Sequence, residues 1–248
     1  MRYFIQFAYN GTNYHGWQLQ PQAISVQEVL TKAVNVLFRN DFELVAAGRT
    51  DAGVHAKLMY AHFDTDMVFD KQLMVQKLNS FLPEDITVFN FFEVANDAHA
   101  RFYAVSRSYE YHINTFKNSF LKNLSYYQFK NLDVDKMNEA AKILLEYEDF
   151  ECFSKTHTDV FTFNCNITTA YWEQNGSQLI FHISANRFLR NMVRAIVGTM
   201  LNVGMGKISV SDVHEIIKSK NRGKAGFSVP AHGLYLTQVV YPYINETK

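Results

Sequence analysis

A mixed α+β fold with a largely antiparallel sheet follows from three features of this 248-residue sequence. Short aromatic and β-branched runs are interspersed with amphipathic segments of helical length. An Asn-Gly pair at 175–176 separates two of those runs, a strong hairpin signal. The order of strands and helices also departs from the regular βαβ alternation that builds parallel sheets.

The elements follow in order. Residues 3–9 (YFIQFAY) form the first expected strand, closed by the turn pair Asn10-Gly11. Ser25, with Glu28 three residues on, has the pattern of a helix N-cap and opens a helix to about Phe38. Val26, Val29, Leu30, Ala33, Val34 and Leu37 give it an apolar stripe. A short strand at 42–47 leads into a run of small residues, and 58–64 is another strand. Residues 70–81 form a helix carrying Leu73, Met74, Leu78 and Phe81; Leu82-Pro83 ends it, and 85–94 is a long strand. The second half uses the same ingredients without repeating the sequence. Residues 105–115 alternate as a strand, 116–131 form a loop with aromatic anchors, and 133–147 form a helix with Met137, Ala140, Ala141, Leu144 and Leu145 inward. Strands at 166–174 and 178–185 flank the hairpin turn, helices follow at 187–203 and 209–219, and the last strand covers 234–241. A boundary near residue 105 divides the chain into 1–105 and 106–248, with no Pro/Gly-rich linker to mark it.

Hydrophobic residues at 48% and charged residues at 19% make a globular composition with ample core material. The 24 basic and 24 acidic residues cancel, so no net field draws the chain to a polyanion, and nucleic-acid binding has to rest on local basic patches. Most of the 21 Phe and 14 Tyr are expected in core or strand, with a few able to stack on bases. Cys152 and Cys165 are the only cysteines, and no secretory signal precedes the first strand; a cytoplasmic protein with reduced thiols is expected. No apolar run has the length of a membrane span. The nine His lack paired ligand spacing and there is no Cys-x-x-Cys, so no metal site is expected.

Residues 46–56 (AAGRTDAGVHA) set one acid, one base and one imidazole among residues with almost no side chain. Such a run contributes little to a core. In extended chain Arg49 and Asp51 point to one face, and a carboxylate beside a guanidinium stays ionised and able to act as nucleophile or base. The local chemistry fits a surface ion pair as well as a catalytic one. Arg187, Arg190 and Arg194, spaced by three and four, share one face of the expected 187–203 helix, which contains no acid; that face suits phosphates, or solvent. Arg107, Tyr109 and Tyr111 share a face of the 105–115 strand, where a tyrosine can pack, stack on a base or move a proton. Residues 9–20 (YNGTNYHGWQLQ) combine turn residues with rings and amides, as a plain loop or as a reader of single-stranded RNA.

Taken together the chain resembles the TruA family of tRNA pseudouridine synthases. The match runs nearly end to end and in order: YNGTNYHGWQLQ at 9–20, GRTDAGVHA at 48–56, LPEDI at 82–86, AHARF at 98–102, SRSYEY at 106–111, DFECFS at 149–154, FLRNMVRAIVGTMLNVG at 188–204 and VPAHGLYLTQVVY at 229–241. The resemblance implies a pseudouridine synthase fold of two α/β halves whose sheets join, flanked by helices. It implies isomerisation of uridine to pseudouridine at positions 38, 39 and 40 of the tRNA anticodon stem-loop, with no cofactor and no metal, by a homodimer that binds tRNA across both subunits. Asp51 matches the family's catalytic aspartate, Arg49 the arginine two before it and Tyr109 the active-site tyrosine; Arg194 matches the arginine that pairs with the catalytic acid. Arg187, Arg190 and His55 are expected as further tRNA contacts. The chain departs from the pattern at Asn164-Cys165-Asn166, where similar proteins tend to carry an arginine, and less sharply over 155–166. Two alternatives stand beside this expectation: an RNA-binding protein of the same fold without turnover, and a synthase for another RNA position.

Overall fold

Among the described residues, nine strands and five α-helices carry the chain. In order the strands are β1 (Arg2–Tyr9), β2 (Val45–Ala46), β3 (His55–Asp64), β4 (Ile86–Val94), β5 (Ser106–Asn114), β6 (Tyr126–Tyr127), β7 (Ile167–Asn175), β8 (Gln178–Ala185) and β9 (Leu234–Val240). The helices are α1 (Val26–Phe38), α2 (Lys71–Phe81), α3 (Val134–Ile143), α4 (Met192–Gly204) and α5 (Asp212–Lys218). The computed structural model describes residues 1–155 and 161–244. The chain groups into two units, Met1–Val105 with the segment that begins at Tyr235, and Ser106–Leu234.

In the first unit β1 pairs antiparallel with both β3 and β4. β2 adds to β3 antiparallel, and β9 runs parallel to β3 through His55↔Tyr235 and Ala56↔Leu236. That pairing draws the end of the chain to the first unit, away from the 106–248 grouping that the sequence boundary gives. Ser25 caps α1 by accepting from the Glu28 N–H, a contact worth about 1 kcal/mol. Val26, Leu30, Ala33, Val34 and Phe38 of α1 are buried, as the stripe expects. Phe38 packs edge-on to Phe63 and Phe91, which come from β3 and β4. On α2 only Leu78 is buried; Leu73 and Phe81 stay exposed, because this helix turns one narrow line of side chains inward.

In the second unit β8 lies between β5 and β7, antiparallel to both, and β6 adds parallel to β5. The largely antiparallel pairing is the expected one. The β7–β8 loop consists of Gly176 and Ser177, one residue later than the Asn-Gly signal suggests: Asn175 and Gln178 are the last cross-strand partners, and Gly176 takes the positive φ of 59°. α3 is capped by Asp133 and tightens into a 3-10 turn over Leu144–Glu146, which leaves Leu145 exposed. α4 buries eleven of its thirteen residues, so it is a central helix, apolar nearly all round.

The 116–131 loop differs most from expectation. Phe116, Phe120 and Phe129 do not anchor it; they stand out in solvent.

Candidate active site

The Asp51 segment lies between β2 and β3. β3 starts at His55, three residues earlier than the sequence suggests, so strand pairing holds the downstream end of the segment. Upstream, the Ala47 N–H donates to the Tyr60 carbonyl at 2.8 Å. Between these points the loop is tied to residues 9–17. The Gly53 N–H donates to Tyr14 O at 3.2 Å, the Trp17 N–H to Thr50 O at 3.4 Å, and the Tyr9 and Thr50 hydroxyls share a 2.8 Å hydrogen bond. The Val54 N–H donates to Asp51 O at 3.1 Å and closes a tight turn in which Gly53 has φ +77°. Gly16, at φ +87°, sits against this loop so closely that a Cβ would overlap Thr50 O. Backbone contacts between these two loops thus fix the chain on both sides of Asp51. Its side chain remains half-buried, and a Cβ at neighbouring Gly48 would meet no atom within 4 Å. Gly48, Ala52 and Gly53 add almost no side-chain bulk to the loop that carries Asp51.

Arg49 is exposed and makes no ion pair among the described residues, so the Arg49–Asp51 pair read from the sequence does not form within this segment. The structure also revises His55. It is 2% exposed, its Nδ1 accepts the buried Gly11 N–H at 3.0 Å, and its ring stacks on Tyr235 at 4.5 Å and 24°. An imidazole so enclosed holds the loops together and is not presented to RNA. The rings of the 9–20 loop are likewise interior: Tyr9, Tyr14 and Trp17 are buried, so the loop serves packing where its composition also suited base recognition.

In the second unit α4 begins at Met192, not at 187. Asn191 adopts φ +66°, a left-handed conformation that ends any continuous helix before it. Arg187 and Arg190 therefore precede the helix and do not form a shared face with Arg194; the three-and-four spacing was helical in pattern only. Arg190 is exposed, and Arg187 is half-buried with Nη1 3.4 Å from Thr162 O. Arg194 is the one charged residue in α4. Its Nε donates to Val229 O at 2.7 Å, and the Val229 N–H donates back to Arg194 O at 3.3 Å. A guanidinium retained in a buried helix needs hydrogen-bonded partners, and the 229–233 segment supplies one. That segment is fixed in turn: the buried Tyr111 hydroxyl donates to Pro230 O at 2.8 Å, and Gly233 packs on the Tyr111 ring. Burial, reinforced by the Arg194 charge, lowers the pKa of His232 and favours its neutral form.

Tyr111 and Tyr109 share the expected face of β5 but have different fates. Tyr111 is a core residue whose hydroxyl burial pushes well above the ordinary range. Tyr109 is half-exposed, with its ring edge-on to Phe188 at 5.1 Å and 88°. Phe188 was not singled out from the sequence, although an aromatic next to Arg187 was a usable signal. The structure therefore brings Tyr109 beside the Arg187–Leu189 stretch. At the departure from the family pattern, Cys165 is buried, its N–H donating to Glu148 O at 2.8 Å, and the Asn166 N–H donates to Asn186 Oδ1 at 2.8 Å. These contacts tie the segment before β7 to Glu148 and Asn186. Residues 156–160 of the 155–166 stretch lie outside the described residues. Cys152 and Cys165 are free buried thiols, pushed up by burial to about 12 and about 11. No described helix is long and apolar enough to cross a membrane.

The first unit thus holds a carboxylate on a loop fixed by backbone hydrogen bonds, and the second, separately, a half-exposed tyrosine and a helix-borne arginine. The chain belongs to the tRNA pseudouridine synthase family, a family of isomerases, whose model matches residues 5–103 and 140–242. It is 51% identical to the tRNA pseudouridine synthase A of Bacteroides thetaiotaomicron over 253 residues, covering 100% of this chain and 94% of that protein. It is 53% identical to the protein of the same name in Bacteroides fragilis, over 97% of this chain and 96% of the relative. Similarity extends to the tRNA pseudouridine synthase A of Thermoanaerobacter pseudethanolicus at 40% identity, over 96% of this chain and 98% of the relative.

Proposed function

We propose that this chain isomerises uridine to pseudouridine at positions 38, 39 and 40 of the tRNA anticodon stem-loop, with Asp51 as the catalytic carboxylate. Family membership across both units supports the reading, and the observation that carries it is the Asp51 turn itself. A carboxylate is fixed by backbone hydrogen bonds on both flanks, with no bulky side chain at Gly48 or Gly53.

The reaction breaks the C1′–N1 bond, turns the uracil and forms a C1′–C5 bond; N1 takes up a proton and C5 gives one up, so atoms and charge balance. One carboxylate suffices, whether it adds to the ring, adds to C1′ or removes a sugar proton on the way to a glycal. In this proposal Arg49 and Arg194 bind and orient the anionic groups, Tyr109 stacks on the extruded base and is placed to move a proton late in the reaction, and Arg187 and Arg190 contact phosphates. Taking a base out of its stack costs a few kcal/mol, which those contacts offset. A cytoplasmic homodimer with one tRNA spanning both copies completes the proposal.

The test is to incubate unmodified tRNA with the protein and map pseudouridine along the whole molecule. The proposal expects product at 38–40. Product at another position reassigns the target, and tight binding with no product anywhere reduces the chain to an RNA-binding protein.

A further inference from the structure

The segment from Asn114 to Leu132 contains Lys117, Lys122 and Lys130 and no acid, in a chain whose charges otherwise cancel. Its rings are turned out: Phe116 is 74% exposed, Phe120 92% and Phe129 70%. The backbone beneath them is well held. β6 pairs with β5, the Thr115 N–H donates to Ser177 O at 2.9 Å, the Gln128 N–H donates to Asn114 O at 3.0 Å, and Asn118 Oδ1 accepts the Phe120 N–H at 2.9 Å. Rings held in water by an ordered backbone forgo the gain of burial, and a stretch of this kind is explained by what it binds.

Between the 116–121 turn and the β7–β8 loop lies a cleft of about 550 Å³, lined by Phe116, Lys117, Phe120, Asn114, Asn175 and Gln178 among others. Asn114 is 4% exposed. Its Nδ2 donates to Phe116 O at 2.7 Å, while its Oδ1 has no partner among the described residues, and neither has the buried Ser125 hydroxyl. Buried polar atoms are rarely left unpaired.

We propose that residues 114–131 form a further RNA-binding surface, in which Phe116 and Phe120 stack on unpaired bases of the tRNA and Lys117 and Lys122 meet its phosphates. This inference rests on the tRNA-modifying reading above. Unpaired nucleotides are the fitting occupant, because bare base faces stack on aromatic rings without regard to sequence. Lysines of one sign with no acid among them match a polyanion better than a mixed-charge protein surface.

The experiment compares wild type, Phe116→Ser/Phe120→Ser and Lys117→Ala/Lys122→Ala for the Kd of one unmodified tRNA across a salt series. Melting curves check folding, which these exposed positions leave intact. The ring pair is expected to raise Kd about 10-fold with an unchanged salt slope. The lysine pair is expected to flatten the dependence of log K on log salt by about one to two. Wild-type Kd and slope in both variants overturn the inference, while pseudouridine formation by the wild type then leaves the enzymatic reading standing. Unchanged Kd with an altered sedimentation coefficient in the ring pair assigns the surface to a protein partner and likewise overturns it. A wild type that neither binds nor modifies tRNA overturns both.

Discussion

Replacing His55 by Ala separates a structural imidazole from an RNA-contacting one. His55 Nδ1 accepts the Gly11 N–H at 3.0 Å, and Gly11 is itself buried against Val54. The Ala variant leaves that N–H unsatisfied at a cost of about 1–3 kcal/mol. It also loses the 4.5 Å stack on Tyr235, worth about 0.5–1.5 kcal/mol. The sum is about 1.5–4.5 kcal/mol, and at about 2–4 °C per kcal/mol for a chain of this size the melting temperature falls by roughly 3–18 °C. In His55→Asn the Oδ1 takes the place of Nδ1, so only the stacking contribution is lost and the fall is about 2–5 °C. The assay is thermal unfolding at neutral pH, together with tRNA affinity at 20 °C where all three proteins are folded. Affinities within about twofold of wild type are expected. An unchanged melting temperature with a tenfold loss of affinity would falsify the structural assignment and return His55 to the RNA-binding role that its place in the motif suggests.

Other perturbations follow from the same geometry. Burial, with Arg2 and His99 adding to it, pushes His62 down to about 4, against about 6.5 in the unfolded chain. Between those values the unfolded chain binds a proton that the folded chain refuses. Stability is therefore fully present above about pH 6.5 and falls by up to about 1.4 kcal/mol per unit as the pH drops toward 4. His62→Asn keeps an acceptor for the Ala100 N–H and removes the titration, so urea unfolding at pH 7 and pH 5 should differ less than in wild type; equal slopes would count against this. Gly16→Ala forces a Cβ into Thr50 O at positive φ, at about 1–3 kcal/mol. Because it displaces the backbone next to Asp51, turnover should fall at least about tenfold. Gly48→Ala, with open space around it, should stay within about 0.5 kcal/mol of wild type, and equal damage from the two would refute the close-packing account.

Much of the fold was legible because local signals and packing agree. Ser25 has the pattern of a cap and does cap α1; Asp70 and Asp133, the first residues of the ranges expected for the next two helices, prove to cap α2 and α3. The strands other than β6, which lies in the expected 116–131 loop, were found from their aromatic and β-branched runs. Errors arose where backbone conformation overrides side-chain pattern. Asn191 in the left-handed region cuts the 187–203 periodicity, and no spacing rule reveals it. Aromatic residues also carry no mark of which way they face. Tyr14 and Trp17 are buried in the first unit, while Phe116 and Phe120, expected as anchors, stand in water. Of the site, Asp51 and its small neighbours could be read from the sequence; Arg194 reads there as one of three arginines on a shared face, and only the left-handed Asn191 leaves it the lone charge of α4. The loop-to-loop hydrogen bonds that fix Asp51, and the enclosure of His55, depend on contacts between residues tens of positions apart and are not visible in a linear motif.

The central claim is that Asp51 carries the isomerisation. Because C5 loses its hydrogen when the new bond to C1′ forms, tRNA labelled with tritium at uridine C5 reports the chemistry directly. Wild-type protein is expected to release tritium from that tRNA, while Asp51→Asn binds it with similar affinity and releases none. Release by Asp51→Asn at a rate near that of wild type would contradict the account.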